Sequence, residues 1–559
     1  MAAWVGVCVL VLVAPFEALT PLVRLPGQSL SNVEVATIVA LVAWILARSG
    51  AGRSAEWRAR VGWPWLAVLL ACVVAAWAAP AHRINAFHMT GRLAVAFGVF
   101  LLTVSGVTTR ARLHGVLVSA ATVGVVVAGL VVLERAGNER VLSGLRLFRP
   151  GVAVVGDQVR AGGPFQYPTI ASMYLEIVFA LTLGLLSAAA GERRTFATLV
   201  LLVALAAMGE AVALTFTRAG VLTVATSLVL VGALRWRRHG FDRGVSAVAV
   251  LAVIVAAEVA SSQSVEAMGL RLTTETQTAW YRAEITAPRT LSMEAGRTAL
   301  VPITIVNTGR ATWDSTARPS FRLSYHWLEF DSDRVVVWEG ARTEFPSPVK
   351  AGAATTIQAT VQAPNVPGHF RALWDVEVHG QLWFSSEPQA RTVVTNVAVA
   401  GAPVAPLAAS AVDRLPMSRP RPGRLVLWRA AGRMFRAHPL TGIGPDNFRL
   451  SYGDAAGIRD ADPRTHSNNM YLEMLVGTGL VGGLAMLWFG ARVCGAFAAA
   501  GLRAGESWGA GVAAAGLAIA VHGAVDSFLS FTPTYLLMAV TIGLAAACPT
   551  LGESRAHRV

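Results

Sequence analysis

The sequence predicts a polytopic α-helical membrane protein with about 12 spanning helices, into which an all-β sandwich is inserted late in the chain. Of the 559 residues, 54% are hydrophobic and 14% are charged, whereas soluble proteins carry about 25% charged residues. Apolar runs of about 18 residues or more recur, and such a run crosses a hydrocarbon core of about 30 Å. Residues 284–395 instead alternate apolar and polar residues, which is typical of strands.

The apolar runs define the predicted membrane helices in order. The first run is followed by others of the same kind, so we expect a membrane helix there rather than a cleavable signal peptide. The predicted helices are residues 3–20, 32–48, 63–80, 91–107, 114–134, 168–190, 196–214, 218–234, 244–262, 470–491, 508–526 and 531–548.

The arginines of the short loops predict the orientation, because cytoplasmic loops are enriched in Arg and Lys. With both termini cytoplasmic, every arginine-rich short loop lies on the cytoplasmic side. These arginines are Arg48, Arg53, Arg58, Arg60, Arg110, Arg112, Arg193, Arg194, Arg235, Arg237, Arg238, Arg243, Arg492, Arg503, Arg555 and Arg558. Residues 135–167, 263–467 and 527–530 are then expected on the outer face of an inner or plasma membrane.

The polar stretch 284–395 is predicted to be an extracytoplasmic β-sandwich. Residues 301–306 and 356–361 alternate like half-buried strands, and turn signals lie at 307–309, 364–368 and His379-Gly380. Short strands at this spacing are typical of a sandwich. We expect its tryptophans to fill the core, with a sugar-stacking platform as the alternative. These are Trp313, Trp327, Trp338, Trp374 and Trp383.

Part of this stretch follows a known pattern. Asn307-x-Gly309-x-x-Thr312-Trp313 is followed by Phe345-Pro346, by Ala363-Pro364, and by Pro367-Gly368-x-Phe370 leading to Trp374. The pattern resembles the immunoglobulin-like "four-tryptophan" domain. The resemblance implies a fold and assigns no chemistry.

Charge and cysteine content exclude two classes of function. The net charge is +14, but the arginines are dispersed in short loops, which does not favour a nucleic-acid-binding face. The four cysteines, Cys8, Cys72, Cys494 and Cys548, all fall in apolar segments. They therefore predict neither a disulfide framework nor a CxxC metal site.

A dense group of polar motifs follows the β region. Residues 424–438 have helical periodicity, with Leu427, Trp428, Ala431 and Phe435 on one side, which predicts a helix lying on the outer membrane surface. The segment from His438-Pro439 to Asn447-Phe448 contains the turn Gly442-Ile-Gly444-Pro445. His466 then precedes an apolar helix, with Asn468 and Asn469 near its start.

These motifs resemble the superfamily of O-antigen ligases and Wzy-type O-antigen polymerases, which act on lipid-linked glycans. The pattern is Arg-x-x-x-Trp, then His-Pro-Leu-x-Gly-x-Gly-x-x-Asn-Phe, then His-x-Asn-x-x-Leu-Glu. The matching positions are Arg424, Trp428, His438 to Phe448, His466, Asn468 or Asn469, Leu472 and Glu473. Upstream, residues 163–168 and 214–220 resemble two further family segments, although Gln166-Tyr167 departs from the first.

The resemblance implies a glycosyltransferase-C-like membrane enzyme and a domain order. The donor is expected to be a polyprenyl-diphosphate-linked glycan and the acceptor a glycan, lipid or protein, with no cofactor, no metal and no nucleic acid. The predicted domains are the first nine helices (1–262), a connector (263–283), the sandwich (284–395), a Pro/Ala-rich linker (396–422), an outer catalytic loop with a surface helix (423–467), and the last three helices (468–559).

Arginines at the outer ends of the helices are the candidate anion ligands. An unpaired guanidinium in the membrane costs about 2.5–3.5 kcal/mol even on the lenient insertion scale, so Arg218 is expected to face a cavity or an anion. Guanidinium groups bind phosphate oxygens bidentately. We assign Arg218 to catalysis and Arg160 and Arg424 to donor binding, with snorkelling at a helix end as the alternative for Arg218.

His466 is the candidate catalytic base, because an imidazole with an ordinary pKa of about 6.5 suits proton removal near neutral pH. An acceptor hydroxyl attacks the anomeric carbon while His466 takes its proton, and Arg218 and Arg160 stabilise the leaving diphosphate. Asn469 and Glu473 are predicted to contact substrate. The alternative for a histidine in this position is a helix cap or an interface residue.

Other ionisable residues in apolar segments are harder to assign. His522 and Asp526 are four residues apart and are predicted to share one face of a helix, either lining a cavity or packing as a polar pair. Glu176, Glu210 and Glu258 receive no role. Two non-enzyme functions stay open: a lipid-linked-glycan flippase, although no internal repeat is seen, and an assembly scaffold that works through the sandwich.

Overall fold

The computed structural model describes residues 1–25, 28–49, 61–149, 153–155, 158–263, 280–317, 319–331, 335–378, 382–386, 391–403, 422–458, 461–503 and 508–553. The predicted turn at His379-Gly380, the loop arginines Arg53, Arg58, Arg60, Arg555 and Arg558, most of the connector 263–283 and most of the linker 396–422 lie outside these residues. The described chain forms two compact units. The first comprises Met1–Pro150, Ala161–Gln263 and Pro422–Val559, and the second Gly151–Arg160 and Ser264–Arg421.

Helices build the first unit, and each predicted membrane segment coincides with one of them. They are α1 (Ala2–Val13), α2 (Asn32–Ser49), α3 (Gly62–Ala78), α4 (Arg83–Gly106), α5 (Arg110–Arg135), α6 (Glu139–Leu145), α7 (Pro168–Gly191), α8 (Thr195–Leu214), α9 (Arg218–His239), α10 (Arg243–Ser262), α11 (Arg424–Ala437), α12 (Phe448–Ala456), α13 (Met470–Arg503), α14 (Trp508–Gly523) and α15 (Thr532–Glu553). A short hairpin, β1 (Val23–Leu25) with β2 (Gln28–Leu30), joins α1 to α2.

Among the described residues, seven helices are long and apolar enough to cross a membrane: α4, α5, α7, α8, α9, α10 and α13. The helices α1, α2, α3, α14 and α15 are apolar but shorter, so the count of twelve spans stays a prediction. Helix α1 ends at Val13, before the predicted residue 20, because Pro15 has no backbone N–H to continue the helical hydrogen bonds. Helix α14 likewise ends at Gly523, so Asp526 lies beyond it and not on its face.

Helix α7 is the centre of this unit and is buried along nearly its whole length. It packs against α5, α8, α9, α10 and α14. The contact with α14 is close because glycines meet there: a Cβ on Gly184 would lie 3.0 Å from the Gly511 Cα. Small residues at such crossings let backbones approach inside a membrane bundle.

The described part of the second unit is β-rich and contains two larger sheets and a separate two-stranded hairpin. Its strands are β3 (Ala153–Val155) and β4 (Gln158–Arg160), which form a hairpin, and β5 (Ala283–Thr286), β6 (Thr290–Glu294), β7 (Thr298–Asn307), β8 (Phe321–Glu329), β9 (Val335–Val337), β10 (Thr343–Glu344), β11 (Ala354–Gln362), β12 (Gly368–Val378), β13 (Leu382–Trp383) and β14 (Val393–Ala400). One sheet has the order β10-β8-β12-β14-β6, with β9 beside β8 and β13 beside β12. The other has the order β11-β7-β5.

The two sheets contact each other through aromatic side chains. The indole N–H of Trp327 on β8 donates to the Gln362 carbonyl on β11 over 3.0 Å, and the Gln362 N–H donates to the Tyr325 hydroxyl over 2.8 Å. Trp313, Trp327 and Trp374 are no more than 1% exposed. Their rings therefore pack in the core, as predicted, and offer no face for stacking on a sugar.

The predicted strands at 301–306 and 356–361 lie within β7 and β11, which pair antiparallel. Strand β14 runs to Ala400, beyond the predicted end of the β region at residue 395 and into the predicted linker. It pairs parallel with β6, a partner that the linker-like Ala and Val composition did not reveal. The immunoglobulin-like assignment stays a prediction.

Candidate active site

His466 lies in the loop before α13 and is held by a carboxylate of the same motif. Its Nδ1 lies 3.0 Å from Glu473 Oε1, which also accepts the Ser467 N–H over 2.8 Å. An ionised carboxylate only accepts hydrogen bonds, so in the neutral imidazole Nδ1 carries the proton and Nε2 presents a lone pair. The histidine side chain is 19% exposed. No group in the described part of the chain is recorded as bonding Nε2, so this atom is available to accept a proton.

The electrostatic surroundings favour the protonated imidazole. Burial lowers the pKa of His466, and the positive charge of Arg449 lowers it further. The negative charge of Glu473, its hydrogen bond to the ring and the negative charge of Asp446 raise the pKa by more. The pKa of His466 is therefore raised above its ordinary value. A more basic imidazole accepts a hydroxyl proton more readily.

The loop that carries His466 is held by two hydrogen bonds just after the histidine. The Asn469 side chain caps α13 by accepting the Leu472 N–H over 2.9 Å, which is a common role for Asn at a helix start. The indole N–H of Trp428 on α11 donates to the Ser467 carbonyl over 3.0 Å. These bonds place the motif residues Trp428, His466, Asn469 and Glu473 together. They give Asn469 and Glu473 structural contacts, and contact of both residues with substrate stays a prediction.

The glycine-rich part of the motif packs against a break in α13. At Gly479 the backbone φ is +63°, and the freed backbone groups pair with the motif loop. Gly444 N–H donates to the Gly477 carbonyl over 2.9 Å, and Leu480 N–H donates to the Pro439 carbonyl over 2.8 Å. A Cβ on Gly442 would lie 2.5 Å from the Val476 carbonyl oxygen. Glycine is needed here because the backbone of the motif loop touches the backbone of α13. The hydrogen bonds between them satisfy the backbone groups that the break in α13 leaves unpaired.

A second polar cluster, which the sequence did not predict, lies on the other side of this loop. Arg449 donates to Asp446 over 2.9 Å, to Asn85 on α4 over 2.7 Å and to the Pro463 carbonyl over 3.2 Å. The amide of Asn447 donates to the carbonyls of Ala81 and Ile443. Asp446 and Asn447 belong to the motif. The sequence could not show that Asn85 is their partner, because Asn85 lies over three hundred residues away along the chain.

Arg218 is the first residue of α9, after a tight turn from α8 in which Phe216 has a φ of +52°. It is half-buried. Within the described ranges, no carboxylate or other hydrogen-bonding group is recorded as its partner. The positive end of the helix adds to its charge. A half-buried guanidinium at a helix N-terminus is suited to an anion.

The segment 161–168 lies next to this turn. Ala161 N–H donates to the Leu214 carbonyl, the last residue of α8, over 3.1 Å. The amides of Gly162 and Gly163 donate to Glu134 Oε2 over 3.0 and 2.7 Å. Glu134 is buried and is paired with the buried Arg149. The two upstream segments that resemble the family therefore meet. The Glu134–Arg149 ion pair holds the first of them in place through the Gly162 and Gly163 amides.

The other predicted binding arginines have different placements. Arg424 begins α11 and lies within electrostatic range of His522, which places it in the same unit as Arg218 and His466. Arg160 ends β4, where its backbone pairs with Ala153 in the second compact unit. It is not among the residues that the first unit brings together. Arg464, which the sequence did not single out, is 74% exposed and lies within electrostatic range of Tyr167.

The partner of His522 is Glu176, not the predicted Asp526. His522 Nδ1 lies 2.9 Å from both Glu176 oxygens, and both side chains are at most 1% exposed. The sequence indicated only that Glu176 and His522 are ionisable residues in apolar segments. It did not indicate that they pair, because they are 346 residues apart. Glu210 accepts from Ser262, and Glu258 lies close to Gly209.

The second unit contains a recess of about 330 Å³, lined among others by Arg282, Glu284, Asp375 and Arg391. The Asp375 carboxylate is already engaged by the N–H groups of Val376 and Ser385 and by His326. Groups of both charges line the recess, so its composition alone selects no ligand.

Comparison with known proteins identifies one part of the chain. Residues 409–487 match the O-antigen ligase family, and they include Arg424, Trp428, the glycine-rich loop, His466 and Glu473. No match was found among curated proteins. The family match does not extend to residues 163–168 or 214–220, whose resemblance stays a prediction. The match confirms the resemblance of the motifs themselves to the O-antigen ligase and polymerase superfamily over residues 409–487.

Proposed function

We propose that this protein is a membrane glycosyltransferase that moves a glycan from a polyprenyl-diphosphate carrier to an acceptor on the outer face of the membrane. The observation that carries the proposal is the His466–Glu473 pair, in which Glu473 engages Nδ1 and leaves Nε2 available as a proton acceptor. This arrangement matches the general rule that a third group orients a catalytic base.

The proposed step is a direct displacement. The acceptor hydroxyl oxygen forms a bond to the anomeric carbon of the donor, and its proton passes to His466 Nε2. The bond between that carbon and the diphosphate oxygen breaks, and the diphosphate leaves with the electron pair. Arg218 stabilises the charge that develops on the leaving oxygen, with Arg424 as a further donor ligand. No metal takes part in this step, and no nucleotide is needed because the diphosphate already activates the sugar.

Arg218 supports the donor half of the proposal. A half-buried guanidinium without a recorded partner in the described chain is costly in an apolar unit. A diphosphate would supply oxygens for its forked N–H groups. The predicted orientation places the start of α9 on the outer side, where a polyprenyl-linked glycan would present its diphosphate.

Ligase and polymerase remain alternatives within this class. A polymerase extends one lipid-linked glycan with another, and a ligase delivers the glycan to a lipid or protein acceptor. Structural analysis of the surface polysaccharide in a deletion strain distinguishes them. Long chains that stay on the lipid carrier indicate a ligase, and single repeat units indicate a polymerase.

The test of the function uses the full chain, reconstituted with the lipid-linked glycan extracted from the deletion strain. Product formation by the wild type, and its loss in both His466→Ala and Arg218→Ala, is expected. Full activity in both variants would refute the mechanism. Translocation without product would favour the flippase, and neither activity would favour the scaffold.

A further inference from the structure

The buried Glu176–His522 pair lies between the two segments that carry the proposed catalytic residues. It joins α7 to α14, two helices that the close contact of Gly184 with Gly511 also holds together. Ser172, one turn before Glu176, donates its hydroxyl to Glu176 Oε1 over 2.5 Å. All three side chains are at most 1% exposed. Replacing a buried ion pair with apolar residues is often neutral or stabilising, so stability alone is a weak explanation for this pair.

One end of the pair contacts the first turn of α9. A Cβ on Gly220 would lie 2.1 Å from the Ser172 hydroxyl and 3.0 Å from Glu176 Oε1. The backbone at Gly220 therefore rests directly on these two side chains. Arg218 stands two residues earlier, as the first residue of the same helix. Glu176 is thus in contact with the turn that carries Arg218.

The other end of the pair leads to the helix that follows His466. The His522 carbonyl accepts the Asp526 N–H over 2.9 Å, and the Asp526 carbonyl accepts the Met470 N–H over 3.2 Å. Met470 is the first residue of α13, whose first turn carries Glu473. Tyr471 reinforces this junction by donating its hydroxyl to the Ala520 carbonyl on α14 over 3.0 Å.

These contacts form one continuous path through the first unit. It runs from the first turn of α9 through Glu176 and His522 to the start of α13. Arg424 lies within electrostatic range of His522, and Asp526 lies within such range of both histidines. Packed side chains and hydrogen bonds of this kind are the physical means by which two sites are kept in register.

We infer that Glu176 and His522 form a positioning pair for the donor diphosphate site, holding Arg218 in register with the helix that carries Glu473 and with the adjacent His466. The inference rests on the proposed function, because it assigns the pair to the diphosphate end of that site. Neither residue touches the reacting atoms. Positioning matters because a misplacement of about 1 Å far from the chemistry costs about 10²-fold in rate.

Binding of a prenyl diphosphate tests the pair separately from catalysis. The full chain is purified in nanodiscs and titrated with farnesyl diphosphate, with the change in intrinsic tryptophan fluorescence as the signal. The variants are Glu176→Gln, His522→Gln and Gly220→Ala, and Arg218→Ala serves as the reference for loss of the diphosphate ligand. Thermal unfolding of each variant is recorded alongside.

Asp242→Asn is the matched control, because it breaks a comparable ion pair at the opposite end of the same helix. There Arg235 pairs with Asp242 and donates to the Ser187 carbonyl over 2.7 Å. The Arg235 side chain is 6% exposed. Its arginine is buried but Asp242 is 26% exposed, and the pair lies at the C-terminal end of α9, away from Arg218.

We expect Glu176→Gln and His522→Gln to weaken diphosphate binding about tenfold, which corresponds to about 1.4 kcal/mol, and Asp242→Asn to leave it unchanged. Adding Glu176→Gln to Arg218→Ala should cost nothing more, because the pair acts through Arg218. If Glu176→Gln does not fold, Gly220→Ala tests the same contact from the other side.

Two results would overturn the inference. If the pair variants bind like the wild type while Arg218→Ala binds weakly, the pair does not position the donor site. If Asp242→Asn weakens binding as much as Glu176→Gln, the pair has only a general structural role. Absence of binding by the wild type, or wild-type affinity in Arg218→Ala, refutes the donor site of the proposed function itself and removes the basis of the inference.

Discussion

The role of Glu473 gives the sharpest prediction about the proposed chemistry. In Glu473→Gln the amide oxygen can still accept the N–H groups of His466 and Ser467, which lie 3.0 and 2.8 Å from the carboxylate oxygen in the wild type. The geometry and the tautomer are then kept, and only the negative charge is removed. The substitution therefore isolates the electrostatic contribution of the carboxylate to the basicity of His466.

The direction of the pH effect follows from the surroundings of the imidazole. His466 must be neutral to accept a proton, so the rate rises with pH through the pKa of His466. In the wild type this pKa is raised, since Glu473 and Asp446 outweigh burial, and the midpoint should lie above about pH 6.5. In Glu473→Gln the largest raising influence is lost, so the midpoint moves to lower pH.

The rate at the plateau falls as well, because a less basic imidazole is a weaker proton acceptor. We expect a fall of about 10- to 100-fold, a part of the roughly 10²–10⁴-fold that a positioned acid–base group contributes. The fall should stay below the ~10⁴-fold seen when a carboxamide imposes the wrong tautomer on a triad histidine. His466→Ala should lose the whole contribution and the rising limb of the profile.

The assay is the initial rate of glycan transfer by the reconstituted chain between about pH 5 and 9, a range that brackets the ordinary histidine pKa. Asp462→Asn is the control. It removes the same charge from the same loop, but Asp462 pairs with the exposed Arg464 and not with the histidine. A Glu473→Gln profile with an unchanged or higher midpoint would refute the reasoning, as would an equal shift in the control.

Three further predictions concern the framework and the β domain. Arg149→Ala leaves Glu134 buried without its ion-pair partner and should lower the free energy of unfolding by about 3–5 kcal/mol. Arg194→Ala breaks an exposed ion pair and should lower it by only about 0–1 kcal/mol. A denaturation assay measures both. Gly479→Ala places a Cβ 2.4 Å from the Leu440 carbonyl at a φ of +63°. This substitution should displace the motif loop and reduce glycan transfer. Gly490→Ala on the same helix is the control, because its Cβ meets nothing within 4 Å and the substitution should be neutral. Deletion of residues 283–400 should preserve transfer to a short acceptor, because His466 and Arg218 lie in the other compact unit. The deletion should change the distribution of glycan chain lengths on a gel. Loss of all transfer would contradict this prediction.

Much of the local structure could be predicted because its causes are local. Hydropathy over about 18 residues identifies a helix that can enter a membrane, and each predicted segment coincides with a helix. Alternation over six residues identified β7 and β11. Helix ends were less predictable: hydropathy continues past Val13 and Gly523, but the backbone stops at Pro15 in one case and turns after a glycine in the other.

The sequence by itself therefore determined the apolar helices, the β insertion and the motif residues. Among these are His466 and Glu473, which lie only seven residues apart along the chain. Only the tertiary structure decided the partners that meet across the bundle. Glu176 pairs with His522, Arg449 with Asn85, and the Gly444 amide with the break in α13. The physical reason is that a buried polar group is satisfied by whatever the packing brings within about 3 Å. Packing at a glycine crossing such as Gly184–Gly511 depends on the whole fold, and no single segment contains that information.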